Sequence, residues 1–350
     1  MYNSFRIKHF RCFEDLEVEN IRQINLITGL NNVGKTALLE ALLLHCKANS
    51  WTLRNLNTFR GLTEFTEWGL PRMEQLANLL RTNLFFGLDT SRNVELEGTL
   101  DKGEKRLLRF SMLPREDNTK GQDTGKLISE EYPCDELKIE CIDEGTPVPC
   151  KPQETVIIKL APLLLFPSYF MDTRSSTTLS EIANQFGNME IKNQQDLLTE
   201  TLKIIEPKLQ RIAMITRGGI PILHGDIGSS ELMPLHVMGD GMVRICSIIL
   251  AIANAPDGII LIDEVENGLH HSVLKKFWTA VGNISRRFNT QMFATTHSYE
   301  CISAAHEAFS ENQPDDFCLY RLERIKGKIK AIAYGQKSLE FTIENRWEIR

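Results

Sequence analysis

The sequence predicts an α/β protein with a mixed β-sheet core, an antiparallel β-subdomain and an inserted helical lobe. Three observations support this fold class. A glycine-rich loop at residues 29–36 lies between an apolar stretch (24–28) and a Leu- and Ala-rich stretch (36–47) without Gly or Pro, which predicts strand, loop and helix. A second run, residues 258–264, is apolar on both faces, as in the centre of a parallel sheet. Residues 94–112 alternate around a D-x-G turn, which predicts a β-hairpin.

The loop after the first predicted core strand reads G-x-x-x-x-G-K-T, the pattern of a phosphate-binding loop of a nucleotide hydrolase. Glycines let its backbone curl so that N–H groups approach phosphate oxygens, and the following helix adds its N-terminal dipole. Lys35 can reach the β- and γ-phosphates, and the Thr36 hydroxyl can bind Mg²⁺. The alternative is a loop that merely joins a strand to a helix. The predicted nucleotide-binding residues here are Gly29, Asn31, Asn32, Val33, Gly34, Lys35, Thr36 and Ala37.

Two carboxylates end the apolar run at residues 258–264, as in the Walker-B strand of P-loop NTPases. Ligands of α/β proteins bind at the carboxyl ends of parallel strands, so both side chains should face the phosphate loop. We predict that Asp263 holds Mg²⁺ through water and that Glu264 orients or deprotonates the attacking water. The alternative is an exposed acidic strand end without chemistry.

Two further residues are candidates for contact with the nucleotide. His297 directly follows a predicted strand, 290–295, whose end should face the same phosphates. It could therefore hydrogen-bond the γ-phosphate and sense its loss. Arg11 lies in the turn-like centre of residues 9–13, before the phosphate loop. It could face the nucleotide or be a solvated strand-end arginine, and nothing local decides between these.

The remaining elements follow from periodicity and turn residues. We predict a mobile loop at 115–126 and a helical region over 178–215 interrupted at Gly187 and Pro207. The other predictions are strands at 5–13, 16–18, 137–142 and 156–160, helices at 71–84, 242–253 and 272–288, a hairpin at 220–228, and a closing hairpin formed by 317–323 and 329–334.

Composition narrows the class of protein. The 350 residues are 42% hydrophobic and 25% charged, which is ordinary for globular domains, and the net charge of -6 excludes a global basic field for nucleic acid. No apolar run approaches the roughly 20 residues that span a bilayer, and the first residues lack the apolar core of a signal peptide. None of the eight cysteines forms a C-x-x-C pair, so we expect reduced thiols in a cytoplasmic protein without a membrane partner.

The phosphate loop, the carboxylate strand and the histidine, in this order, resemble the ABC class of P-loop ATPases. The closest likeness is to the bacterial "AAA family ATPases" of the OLD/SMC-like group, carried by RIKHFRCFEDLEVENIRQINLITGLNNVGKTALLEAL and MPLHVMGDGMVRICSIILAIANAPDGIILIDEVENGLHHS. Gly239, Asp240 and Gly241 stand where that family has its signature motif, with Gly239 in place of the transporters' serine. The resemblance implies that the signature of one subunit caps the γ-phosphate bound by another, so that two ATP molecules are enclosed in a head-to-head dimer.

The resemblance also sets expectations for organisation and function. We expect one ABC-type ATPase domain, 1–350, with a phosphate-loop and β-subdomain lobe (1–165), a helical lobe (166–240) and a segment with the signature helix, Walker B and histidine (241–350). Only about fifty residues follow His297, too few for a Toprim domain, and no heptad run predicts an SMC-type arm. The chain should be a stand-alone ATPase head.

The expected activity is Mg²⁺-dependent ATP hydrolysis that drives dimerisation and switches a separately encoded effector, such as a nuclease in phage defence. The alternative is an ATP-stabilised scaffold with little turnover. GTP is disfavoured because the chain has no N-K-x-D motif. Direct DNA binding stays open. The basic residues considered for it are Lys275, Lys276, Arg286, Arg287, Arg321, Arg324, Lys326, Lys328 and Lys330.

Overall fold

The computed structural model describes residues 1–49, 52–53, 55–56, 81–113, 136–143, 146–148, 163–164, 166–172, 178–312 and 314–345. The helices in these residues are α1 (Lys35–Cys46), α2 (Leu179–Ile191), α3 (Gln195–Leu202), α4 (Asp240–Ala253), α5 (His271–Arg287), α6 (Tyr299–Asn312) and α7 (Gln336–Glu344), with short 3-10 turns at Phe86–Leu88, Leu235–Val237 and Pro314–Asp316. The strands are β1 (Tyr2–Phe10), β2 (Phe13–Val18), β3 (Ile24–Gly29), β4 (Lys47–Ala48), β5 (Val94–Leu100), β6 (Lys105–Leu113), β7 (Glu136–Asp143), β8 (Thr146–Val148), β9 (Leu163–Leu164), β10 (Ser168–Met171), β11 (Arg211–Arg217), β12 (Ile220–Asp226), β13 (Met233–Pro234), β14 (Ile259–Ile262), β15 (Gln291–Thr295), β16 (Phe317–Ile325) and β17 (Lys328–Tyr334).

A six-stranded mixed sheet forms the core, in the order β10-β14-β15-β3-β16-β17. The first five strands are parallel, and β17 returns antiparallel to β16. Because β3, β14 and β15 are parallel neighbours in register, their carboxyl ends meet at one edge, where a ligand of an α/β protein binds. The predicted fold class is confirmed at this level.

Helix α1 lies between the core sheet and a second sheet. One face of the core sheet, with Ile27, Leu261 and Phe293, packs against α1, while the other face packs against α4, α5 and α6. All but one residue of α1 are buried, Thr36 being the exception. A helix covered on every side needs no polar face, which explains its nearly uninterrupted Leu and Ala sequence.

The second sheet is antiparallel, in the order β2-β1-β5-β6-β7-β8. It confirms the predicted β-subdomain and the hairpin of β5 and β6. The prediction that this subdomain follows the first helix was incomplete, because β1 and β2, which precede the phosphate loop, are also part of it. The turn between β1 and β2 is thereby brought against the phosphate loop.

The helical lobe differs from the prediction. Helix α2 continues through Gly187, since one glycine costs a helix only about 1 kcal/mol. The predicted helical region to residue 215 is wrong beyond α3, because β11 pairs with β12 in a hairpin whose turn is formed by Gly218 and Gly219. The segment 166–240 also begins with β10, an edge strand of the core sheet, so it is not helical throughout.

Several predictions fall outside the described residues: the loop at 115–126, the strand at 156–160 and most of the helix at 71–84. In the part of the chain that the structure describes, no helix is long and apolar enough to cross a membrane. The described cysteines are all free thiols, in agreement with the expected reduced state.

Candidate nucleotide site

The phosphate loop has the backbone conformation that its glycines predict. Gly29 has φ of 138° and Gly34 has φ of 102°, a region that side chains with a Cβ rarely adopt. Space is restricted as well, since a Cβ on Gly34 would lie 2.6 Å from Cys12 Sγ and 2.7 Å from Phe13 Cζ. The turn between β1 and β2 therefore packs directly on the start of α1. Asn31 and Asn32 are exposed, whereas Val33 and Ala37 are buried beneath the loop.

Lys35 is held inside the curl of its own loop. Its Nζ donates hydrogen bonds to the carbonyl oxygens of Gly29 at 2.7 Å and Leu30 at 3.0 Å. Burial lowers the pKa of Lys35, while the nearby carboxylates, Asp263 first, act in the opposite direction. A buried ammonium group next to a phosphate-binding turn is suited to bind an anion, and a phosphate can replace the two carbonyl partners.

Asp263 connects the carboxyl ends of two strands to the start of α1. Its Oδ2 accepts a hydrogen bond from Thr36 Oγ1 at 2.9 Å, and its Oδ1 accepts one from Thr295 Oγ1 at 2.5 Å. Its N–H donates to Met171 O at 2.8 Å, at the end of β10. A hydroxyl and a carboxylate oxygen at this separation are hard ligands of the kind that Mg²⁺ requires, so the residues present fit the ion.

Glu264 and His297 lie at the ends of adjacent strands, as predicted. Glu264 has φ of 47°, and its N–H donates to Thr295 Oγ1 at 2.8 Å. The N–H of His297 donates to Glu266 Oε1 at 2.9 Å. A carboxylate in the loop that follows β14 thus fixes the backbone at His297. The positive φ of Glu264 is a strained backbone conformation, which is common at functional sites.

The sequence reasoning missed the roles of Thr295 and Glu266. Thr295 was placed at the end of a strand without a function, although the parallel register that pairs Ile262 with Ala294 brings it beside Asp263. Glu266 was noted only as part of a motif. The signal for a role of Glu266 was its position two residues after Glu264, just beyond a buried strand.

The structure excludes one of the two interpretations of Arg11 that the sequence left open. Its Nε lies 2.7 Å from Glu40 Oε2 of α1, and the side chains are only 8% and 0% exposed. It is therefore not a solvated arginine. The ion pair anchors the turn between β1 and β2 to α1, and a direct contact with nucleotide stays a prediction.

The signature residues lie at the N-terminus of α4, on the surface. Gly239 and Asp240 are exposed, and Gly239 has φ of 120° with open space around the position of a Cβ. A Cβ on Gly241 would lie 3.0 Å from Gly268 O, in the loop that follows Glu264. The first N–H groups of a 14-residue helix are thus available to an external anion.

The mixed sheet, the glycine loop that holds a buried lysine and the Thr36–Asp263 pair define a P-loop ATPase head, which is an ATP hydrolase. The chain belongs to the family described as "AAA domain, putative AbiEii toxin, Type IV TA system", whose model matches residues 24–303. The expected family class and enzyme class are confirmed.

Known proteins resemble the chain over nearly its whole length. An "ATP/GTP phosphatase" of Helicobacter pylori is 27% identical, with 99% of this chain and 98% of that protein covered. A solved Smc head bound to the C-winged helix domain of ScpA is 11% identical, with a TM-score of 0.55 and 97% and 99% of the two chains covered. The SMC head domain of Thermotoga maritima is 10% identical, with a TM-score of 0.52 and 95% and 98% covered. At these identities the structures show a shared fold.

Proposed function

We propose that the chain binds ATP with Mg²⁺ and hydrolyses it in a head-to-head dimer, as a nucleotide-dependent switch for a separate effector. The observation that carries the proposal is the pairing of Thr36 Oγ1 with Asp263 Oδ2 at 2.9 Å, beside a buried Lys35. These three side chains come from two distant parts of the sequence and converge at one sheet edge. They supply a cation for phosphate and oxygen ligands for a metal ion.

Each side chain at this edge has a separate role in the proposed reaction. Lys35 exchanges its loop carbonyls for β- and γ-phosphate oxygens, and the N–H groups of residues 31–37 bind the remaining phosphate oxygens. Thr36 and Asp263 would hold Mg²⁺, which neutralises phosphate charge when bound. Glu264 orients or deprotonates the attacking water, and His297 hydrogen-bonds the γ-phosphate.

The exposed N-terminus of α4 supports the dimer. Gly239 and Asp240 are exposed at the first turn of α4, whereas Gly241 is half-buried against Gly268. In the proposed dimer they cap the γ-phosphate bound by the other subunit. This arrangement makes dimerisation depend on nucleotide, because ATP would contribute part of the interface.

The output of the switch is proposed to pass to another protein in the cytoplasm. The family description includes a putative toxin, and one of the solved Smc heads is bound to a domain of ScpA. Both support a partner or effector beyond the ATPase itself, such as a nuclease in phage defence. A scaffold that only holds ATP is the alternative, but it does not require a carboxylate such as Glu264 beside the phosphates.

Direct DNA binding is not favoured by the structure. Among the basic residues considered for it, four form ion pairs that neutralise their charge. The pairs are Lys275–Glu307, Arg286–Asp316, Arg321–Glu323 and Lys328–Glu14. Pairing with a carboxylate reduces the excess of positive charge at these four positions, and binding of phosphate backbones depends on such an excess.

The test is light scattering after size exclusion on a Glu264→Gln variant, with and without Mg²⁺ and ATP. Blocked hydrolysis should trap the closed form, so the mass should double with ATP and Mg²⁺. Glu190→Gln, the same change at an exposed position on α2, is the control and should stay hydrolytic. A Glu264→Gln variant that binds ATP without any change in mass would contradict the dimer. Phosphate release from ATP and from GTP by the wild-type chain tests the nucleotide and separates the switch from the scaffold.

A further inference from the structure

A half-buried arginine joins the signature helix to the edge of the core sheet that carries Asp263. Arg244 lies one turn beyond the N-terminus of α4, and its Nη2 donates a hydrogen bond to the backbone oxygen of Asp263 at 3.3 Å. It approaches Asp263 from the α4 side of the sheet, whereas Thr36 approaches from α1. Arg244 carries the only charge in the mostly apolar stretch MVRICSIIL, and a charge in such a place requires a partner.

Acidic groups surround this arginine. Burial lowers the pKa of Arg244, and the carboxylates of Asp172, directly after β10, Asp263 and Glu266 act in the opposite direction. The charge of the guanidinium is therefore opposed by burial and partly compensated by three acids. The site therefore selects an arginine that is always charged and can donate in several directions.

Two buried atoms of opposite charge here lack hydrogen-bond partners among the described residues. They are Arg244 Nε and Glu266 Oε2. An unpaired buried polar atom is costly, so a shift that brought these two groups into contact would be favourable. Because Glu266 Oε1 also holds the N–H of His297, such a shift would move both the histidine loop and the Asp263 carbonyl.

We propose that Arg244 is a positioning residue that couples the signature helix to the catalytic carboxylates. Binding of another subunit's nucleotide at the N-terminus of α4 shifts this helix, and Arg244 transfers the shift to Asp263 and, through Glu266, to the His297 loop. Arg244 itself contacts neither nucleotide nor water. The coupling rests on the proposed dimer, whereas the contact of Arg244 with Asp263 does not.

The experiment compares Arg244→Gln and Arg244→Lys with an exposed control, Arg287→Gln on α5. We expect Arg244→Gln to lower kcat by about tenfold to a hundredfold, the range for losing a hydrogen bond from a charged donor, with the KM for ATP changed less than about threefold. Arg244→Lys should recover part of kcat because it keeps the charge. An Arg244→Gln variant with the kcat of the wild type, or one in which affinity for a fluorescent ATP analogue falls by the same factor as kcat, would overturn the positioning role.

The coupling has its own readout, which is the dependence of specific activity on protein concentration. Wild-type activity should rise as dimers form, while Arg244→Gln should stay low without a rise. The double variant with Glu264→Gln should still double its mass with ATP. If Arg244→Gln keeps the full rise, the coupling is wrong and the dimer stands. If Glu264→Gln alone never gains mass with ATP, the proposed dimer is wrong and the coupling is wrong with it. The kcat comparison then tests only whether Arg244 positions Asp263.

Discussion

Replacing Gly34 by alanine is the sharpest test of the phosphate loop. The new Cβ would lie 2.6 Å from Cys12 Sγ and 2.7 Å from Phe13 Cζ, both closer than real Cβ contacts. The backbone there has φ of 102° and ψ of 17°, which is unfavourable for any residue with a side chain. The left-handed backbone costs about 1–2 kcal/mol and an overpacked contact costs about 1–3 kcal/mol, so we expect a loss of about 2–5 kcal/mol in the free energy of unfolding.

Thermal unfolding measures this loss. The unfolding entropy of a chain of this length converts it into a decrease in Tm of about 3–7 °C. Nucleotide affinity should fall as well, because the strained loop must shift to relieve the contact. Gly187→Ala is the matched control, since its Cβ meets nothing within 4 Å and it lies inside α2. That change should raise stability by up to about 1 kcal/mol.

A second variant separates the two causes of the loss. Cys12→Ala removes the sulfur that the new Cβ would meet. In the Gly34→Ala background it should therefore recover part of the unfolding free energy lost to the overpacked contact, but none of that lost to the left-handed backbone. If Gly34→Ala keeps the wild-type Tm and the wild-type affinity for ATP, the packing of the β1–β2 turn on the loop is not as described. Equal losses in Gly34→Ala and Gly187→Ala would refute the reasoning as well.

Three further predictions follow from other contacts of the site. Arg11→Met breaks the buried ion pair with Glu40 and should lower the free energy of unfolding in urea by about 3–5 kcal/mol. The double variant with Glu40→Leu should regain much of this loss. An unchanged affinity for ATP would identify Arg11 as structural. Thr295→Val keeps the shape but removes the hydrogen bond to Asp263, so phosphate-release assays should show a lower kcat with a nearly unchanged KM. Burial lowers the pKa of Lys35 below its ordinary 10.5 in the folded chain. At pH values just below 10.5 the unfolded chain therefore binds more protons than the folded chain, so the free energy of unfolding should rise with pH in this range. Lys35→Met should flatten this part of a profile of Tm against pH.

The sequence predicted well those elements whose signal is local. The core strands other than β10, and helix α1, were predicted because buried strands and a buried helix carry apolar runs bounded by glycine or charge. Strand β11 was missed because the apolar residues of the preceding helices seemed to continue through it. The dipeptide Gly218–Gly219 between two alternating stretches was the signal for a hairpin, and a two-residue glycine turn has more weight than an extended helical period.

The sequence predicted the motifs of the site, but it did not predict the contacts between side chains that are distant in sequence. Nothing local shows that Arg11 pairs with Glu40, since 29 positions separate two residues that meet only when the turn packs on α1. A single acid within the apolar run TALLEALLLHC was nevertheless a sign that a buried partner exists. The contacts of Thr295 and Glu266 depend likewise on the register between parallel strands, which one strand's sequence does not specify.

Asp263 shows why these connections matter for function. Its carboxylate is fixed by Thr36 from α1 and by Thr295 from β15, while its backbone is held by Met171 from β10 and by Arg244 from α4. Four elements from separate parts of the chain therefore determine the position of the carboxylate that we propose as a Mg²⁺ ligand. A movement of any of them relative to the sheet must change the geometry at Asp263, because packed interiors do not absorb displacements freely. A signal that moves α4 can thus control hydrolysis without touching the nucleotide bound to the same subunit.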